Sequence, residues 1–147
     1  MDKNAPIGVF DSGIGGLTVV REIMRQLPEE KIVYFGDTAR LPYGNKSKET
    51  VIRFSGQIVR FLKTRGVKAI VVACNTASSY ALEEIRKAED IPVIGVINAG
   101  ARAAVSATKN GKIGVIGTEG TIKSGTYGAV LREMRPGVEV FGKACPL

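Results

Sequence analysis

Apolar and polar positions along the chain alternate between two rhythms. Five short runs rich in β-branched residues, at about 7–11, 31–36, 68–73, 93–97 and 112–116, read as strands, and each ends in small or polar residues. Between them the apolar positions recur at helical spacing. Leu17, Val20, Met24 and Leu27 predict a helix with one inward stripe, stopped by Pro28. Val51, Phe54, Ile58, Phe61 and Leu62 predict a second, opened by Ser47 as N-cap and closed at Gly66. A third places Ala77, Ala81, Ile85 and Ala88 on one face, opposite Glu83, Glu84, Arg86 and Lys87. Two more are expected near 99–108 and 121–135, the latter turning Tyr127, Val130, Leu131 and Met134 inward. Alternation of this kind with buried strands predicts an α/β fold with parallel sheets flanked by helices.

Two segments echo each other. Ile7-Gly8-Val9-Phe10-Asp11-Ser12 and Ile113-Gly114-Val115-Ile116-Gly117-Thr118 share Ile-Gly-Val, then an apolar residue, and both end on a hydroxyl. Buried strands resemble one another by composition, so the repeat adds to the case for two related lobes rather than making it. With the join near Asn98, residues 1–97 form a first α/β lobe carrying Asp11 and Cys74, and residues 98–147 a second. One βαβ unit and the start of a further strand are too little to bury both faces of a sheet, so the second lobe is expected to be truncated.

Composition narrows the class. The 147 residues are 44% hydrophobic and 24% charged, as in globular proteins, with no apolar run of ~18 residues, and Met1-Asp2-Lys3-Asn4 lacks the apolar stretch a secretory signal needs. The expectation is a cytoplasmic protein without a membrane partner. A net charge of +7 invites a nucleic-acid partner, but Lys46, Lys48, Arg53, Arg60, Lys63, Arg65, Arg86 and Lys87 are scattered at solvent-facing spacing rather than clustered. A solvated surface is the preferred reading. Cys74 and Cys145 lie far apart, and the chain has no His. Neither a metal cluster nor a disulfide framework is indicated, and each cysteine reads as a free thiol.

In an open α/β sheet the functional crevice lies beyond the C-terminal ends of the strands. The residues there are polar: Asp11-Ser12-Gly13-Ile14-Gly15-Gly16, Gly36-Asp37-Thr38, Leu41-Pro42-Tyr43-Gly44, Cys74-Asn75-Thr76 and Gly117-Thr118-Glu119-Gly120-Thr121. Cys74 closes an apolar run and precedes a helix, a position that lowers a thiol's pKa and makes it basic or nucleophilic. The alternative is a small buried cysteine filling a strand end; Asn75 and Thr76 beside it favour substrate contact. The glycines after Asp11 suggest an anion site at a helix N-terminus, although Thr18 breaks the dinucleotide spacing. Gly117 to Ser124 meets the phosphate-loop pattern except at Ile122, where the pattern needs glycine, so nucleotide binding is not expected.

Together, Asp11 to Val19, Gly36-Asp37-Thr38-Ala39-Arg40, Pro42-Tyr43-Gly44, Ala73-Cys74-Asn75-Thr76-Ala77 and Gly117-Thr118-Glu119-Gly120-Thr121 resemble the glutamate racemases, in order and spacing, over essentially the whole chain. The resemblance implies a two-lobed enzyme that interconverts L- and D-glutamate without pyridoxal phosphate, metal or any other cofactor, for bacterial peptidoglycan. Inverting a stereocentre this way needs a base on one face and an acid on the other. By resemblance, Cys74 serves the D-glutamate face, and Asp11 assists it and meets the substrate ammonium. Ser12, Tyr43, Gly44, Asn75 and Thr76 match substrate-binding positions, with Thr118 and Thr121 as further candidates and Pro42 shaping its loop. Lys143-Ala144-Cys145-Pro146-Leu147 is similar to a family stretch upstream of the second reactive cysteine, so Cys145 is not that cysteine, and this sequence carries half of a two-base site. The resemblance also implies a homodimer in the full-length enzyme and, by family analogy only, a link to DNA gyrase. The rival readings are an aspartate or related amino-acid racemase and, from another class, a nucleic-acid-binding module.

Overall fold

A computed structural model describes residues 2–145. Strands β1 (Ile7–Asp11), β2 (Ile32–Gly36), β3 (Ala69–Val72) and β4 (Val93–Gly95) form one parallel sheet in the order β2-β1-β3-β4. Strands β5 (Lys112–Gly117) and β6 (Glu139–Ala144) pair in parallel as a second sheet. The helices between them are α1 (Leu17–Gln26), α2 (Lys48–Lys63), α3 (Asn75–Tyr80), α4 (Leu82–Ala88), α5 (Ile97–Ala107), α6 (Glu119–Lys123) and α7 (Thr126–Met134). The α/β class and the parallel sheets stand as expected, and β6 is the further strand anticipated at the C-terminal side.

The main core forms where α2 covers the first sheet. Ser47 caps α2 by accepting from the Thr50 N–H at 3.2 Å, and Glu49 in the first turn and Arg60 and Lys63 in the last complement the helix dipole. The helix buries Val51, Ile58 and Leu62 in one cluster with Phe10, Ile70 and Val72. Each such side chain contributes roughly 1.5–3 kcal/mol on leaving water. The smaller lobe packs α5 and α7 onto the second sheet through Ala101, Ile113, Leu131 and Val138.

Three expectations are corrected. The periodicity of α1 is real, but none of its residues is fully buried, and Met24 is 59% exposed, because no described element lies over that stripe. The single helix expected from Ala77 to Ala88 is two, α3 and α4, meeting at Ala81; Leu82 and Ile85 are buried and Ala88 is exposed. The helix expected over 121–135 is also two. Gly125 separates α6 from α7 at φ +68°, a conformation that side chains with a Cβ resist.

Candidate functional site

The strand order places a switch point between β1 and β3, since the chain moves from β1 outward to β2 and then returns to the other side of β1. Phe10 lies beside Val72 in the register, and the Ala73 N–H donates to the Phe10 carbonyl at 2.8 Å. The sheet thereby sets Asp11 and Ser12, just past one strand, against Cys74, just past its neighbour. A crevice of about 510 Å³ opens there, lined by Asp11, Ser12, Pro42, Tyr43, Gly44, Cys74, Asn75, Thr76 and Thr118. Nine of the ten residues singled out in the sequence line it. Thr121 does not.

Asp11 is 6% exposed. Its Oδ2 accepts from the Gly16 N–H at 2.8 Å, so the anion at this helix N-terminus is the protein's own carboxylate. Gly16 must be glycine for this approach: a Cβ there would stand 2.7 Å from Asp11 Cβ and 3.0 Å from Ala73 Cβ. Asp11 Oδ1 accepts from Ser12 Oγ at 3.5 Å, and Ser12 Oγ in turn accepts from Cys74 Sγ at 3.5 Å. Thiol, hydroxyl and carboxylate thus form a chain across the strand ends.

Cys74 is the N-cap of α3, and its sulfur accepts from the Ala77 N–H at 3.4 Å. The expected fall in its pKa is reversed. Burial at 6% exposure pushes the thiol up, the contacts with Ser12 and Ala77 oppose that only in part, and the Asp11 charge adds to it. A helix of six residues supplies too little dipole to compensate.

The loop between β2 and α2 is held from behind. Tyr43, 1% exposed, donates its hydroxyl to the buried Asp37 carboxylate, which also forms an ion pair with Arg40 at 2.8 Å; the Arg40 guanidinium lies over Phe54, 4.2 Å from the ring centroid. Burial and the Asp37 charge raise the Tyr43 phenol far above its ordinary range. With its hydroxyl so engaged, what Tyr43 offers a ligand is backbone. The Leu41–Pro42 peptide is cis. Gly44 meets the second lobe, where its carbonyl accepts from the Gly120 N–H at 2.9 Å and a Cβ would collide with Thr118.

Three hydroxyls join the lobes. Thr76 Oγ1 lies 2.8 Å from Thr118 Oγ1 and 3.3 Å from Thr121 Oγ1, and the latter two are 3.0 Å apart. Thr121, 3% exposed, stands behind Thr118 and supports it rather than reaching the crevice. Residues to which the sequence reading gave no binding role also line the crevice, among them Ile14, Thr18, Leu41 and Val96. Proximity to the Asp11 and Pro42 motifs was the only signal for the first three, and Val96 had none.

The near phosphate loop forms no cradle: Lys123 pairs with Glu119 at 2.5 Å, and the Thr118 side chain caps the five-residue α6. Lys63, Lys68, Arg86 and Lys87 are likewise each paired with an acid. No group of three His, Cys, Asp or Glu among the described residues is placed to hold a metal ion. No helix is long and apolar enough to cross a membrane among the described residues.

Comparison with known proteins gives this site a lineage. The family model for Asp/Glu/Hydantoin racemase matches residues 7–145. The glutamate racemase of Oceanobacillus iheyensis is 56% identical over 146 residues, which are 99% of this chain and 53% of that protein. Among solved structures, glutamate racemase isoform RacE1 from Bacillus anthracis superposes with a TM-score of 0.96 at 54% identity, over 99% of this chain and 55% of that one. Glutamate racemase from Francisella tularensis, solved in complex with D-glutamate, gives 0.90 at 47% identity, over 98% of this chain and 54% of that one. The chain spans about half the length of the curated relatives it matches. Sequence, fold and crevice together establish that this chain belongs to the Asp/Glu/Hydantoin racemase family.

Proposed function

We propose that this chain supplies one face of a two-base glutamate racemase site, with Cys74 as the proton-transfer group for D-glutamate. The chain of contacts from Cys74 Sγ through Ser12 Oγ to Asp11 Oδ1 carries this reading. The raised thiol pKa keeps Cys74 protonated near neutral pH. A substrate ammonium set beside Asp11 brings a positive charge that favours thiolate, and the thiol proton has a path toward Asp11 through Ser12. The thiolate then takes the Cα proton of D-glutamate, the C–H electron pair passes into the α-carboxylate system, and Cys74 becomes thiol again. Inversion needs a proton delivered from the opposite side. Cys145, the other cysteine here, does not line the crevice and is not proposed as that acid. In this reading the amide of Asn75 and the hydroxyls of Thr76 and Thr118, which line the crevice, bind carboxylate oxygens. The 47% identity to the Francisella tularensis enzyme solved with D-glutamate supports glutamate as the substrate class.

The test is a chimera in which residues 1–147 replace the equivalent segment of the Bacillus anthracis racemase, assayed by circular dichroism with each glutamate enantiomer. Interconversion is expected, and Cys74→Ser should reduce it by about 10²–10⁴-fold, the usual worth of a positioned acid or base. An active chimera indifferent to Cys74→Ser would overturn the assignment. The 147-residue chain alone should not racemise either enantiomer.

A further inference from the structure

We propose that Tyr127 is a positioning residue that fixes the Asn75 carboxamide so that its N–H₂ end faces a carboxylate in the crevice. This rests on the glutamate reading of the site. Asn75 begins α3 directly after Cys74, and its side chain lies at the border of the crevice and of a second cavity of about 410 Å³, under β5 and α7. A free carboxamide presents oxygen or nitrogen equally, and oxygen repels a carboxylate. Here the choice is made from the other lobe. Tyr127, on α7, donates its hydroxyl to Asn75 Oδ1 at 2.7 Å. That leaves the two Nδ2 hydrogens for a ligand, and among the described residues they have no protein acceptor. Gly100 on α5 makes room for the contact, since a Cβ there would stand 3.3 Å from the Tyr127 hydroxyl oxygen. Burial raises the Tyr127 phenol above its ordinary pKa and so keeps it a donor.

Removing the hydroxyl alone, by Tyr127→Phe in the chimera described above, should raise KM for glutamate about tenfold while kcat stays within about threefold, the expected loss of one hydrogen bond to an orienting amide. Asn75→Ala should raise KM at least as much, and the double variant should match Asn75→Ala, because Tyr127 acts only through Asn75. KM within twofold of the parent for Tyr127→Phe, or additive effects in the double variant, would overturn the proposal. A second measurement needs no activity: in the ¹⁵N-labelled 147-residue chain, Tyr127→Phe should move and broaden the Asn75 side-chain amide signals. Unmoved signals would overturn the hydrogen bond itself. An inactive parent chimera with moved Asn75 signals would instead count against the glutamate reading.

Discussion

The two sheets share the run Ile-Gly-Val, in β1 and β5, and place it in different surroundings. In the first, Gly8 and Phe10 of β1 meet α2, and Ile70 on β3 is fully buried. In the second, Ile113 and Val115 face α5 and α7, whereas Ile116 on the opposite face is 78% exposed and Phe141 across from Gly114 is 57% exposed. The difference shows how the site is divided. The well-covered lobe holds the groups proposed to react, Asp11, Ser12 and Cys74, just past the ends of paired, buried strands. The sparsely covered lobe contributes hydroxyls and a tyrosine that touch the first lobe from outside, as supports for a rigid centre.

This contrast is open to direct attack. The largest expected effect is in the first core: Ile70→Ala should cost about 2–5 kcal/mol in urea unfolding, while Ile116→Ser changes stability by less than about 0.5 kcal/mol. Similar losses for the two would erase the distinction. Next, Gly44→Ala should cost about 1–3 kcal/mol, because the added methyl group meets Thr118 at its Cβ, which cannot swing away. An unchanged urea midpoint would show that the lobes do not seat against each other at this point. The smallest effect is a rate. At pH 7.5 iodoacetamide should label exposed Cys145 at least about tenfold faster than buried Cys74, with Cys74 still gaining speed as pH rises past the ordinary thiol pKa of about 8.5. The sign follows from the raised pKa, since the thiolate fraction of Cys74 near neutrality lies below that of a free thiol. Equal rates would return Cys74 to the activated thiol that its sequence position suggested.

Much of this was legible in the chain itself. Strand positions followed from β-branched runs, and the crevice residues from the rule that polar groups gather past strand ends; Asp11 and Cys74 met there because β1 and β3 are neighbours. What escaped depends on distance along the chain. The helical rhythm through Ala81 and Gly125 gave no sign of the breaks, although a glycine amid a helical pattern is a visible warning. Leu17 and Leu27 repeat at the right interval, but spacing shows which face is apolar and not whether anything covers it. Cys74 was misjudged in protonation because desolvation, a property of the packed state, outweighs a helix terminus readable in the sequence. The pairing of Tyr127 with Asn75 spans 52 residues and two lobes, and nothing local to either residue announces it.

The ring of Thr76, Thr118 and Thr121 has a consequence for how the crevice would meet an anion. Three hydroxyls hold three hydrogens, and left to themselves they can pass them round in either sense. The Thr121 N–H already donates to Thr118 Oγ1 at 3.2 Å, which makes Thr118 the oxygen best supplied with protons. In the proposed site, a carboxylate that accepts the Thr118 hydrogen leaves that oxygen one lone pair beyond the one held by the Thr121 N–H, so only one of Thr76 and Thr121 can turn its hydrogen onto it. If Thr76 is the one that turns, a charge bound at Thr118 on one lobe would reorient a hydroxyl on the other by a bond rotation alone.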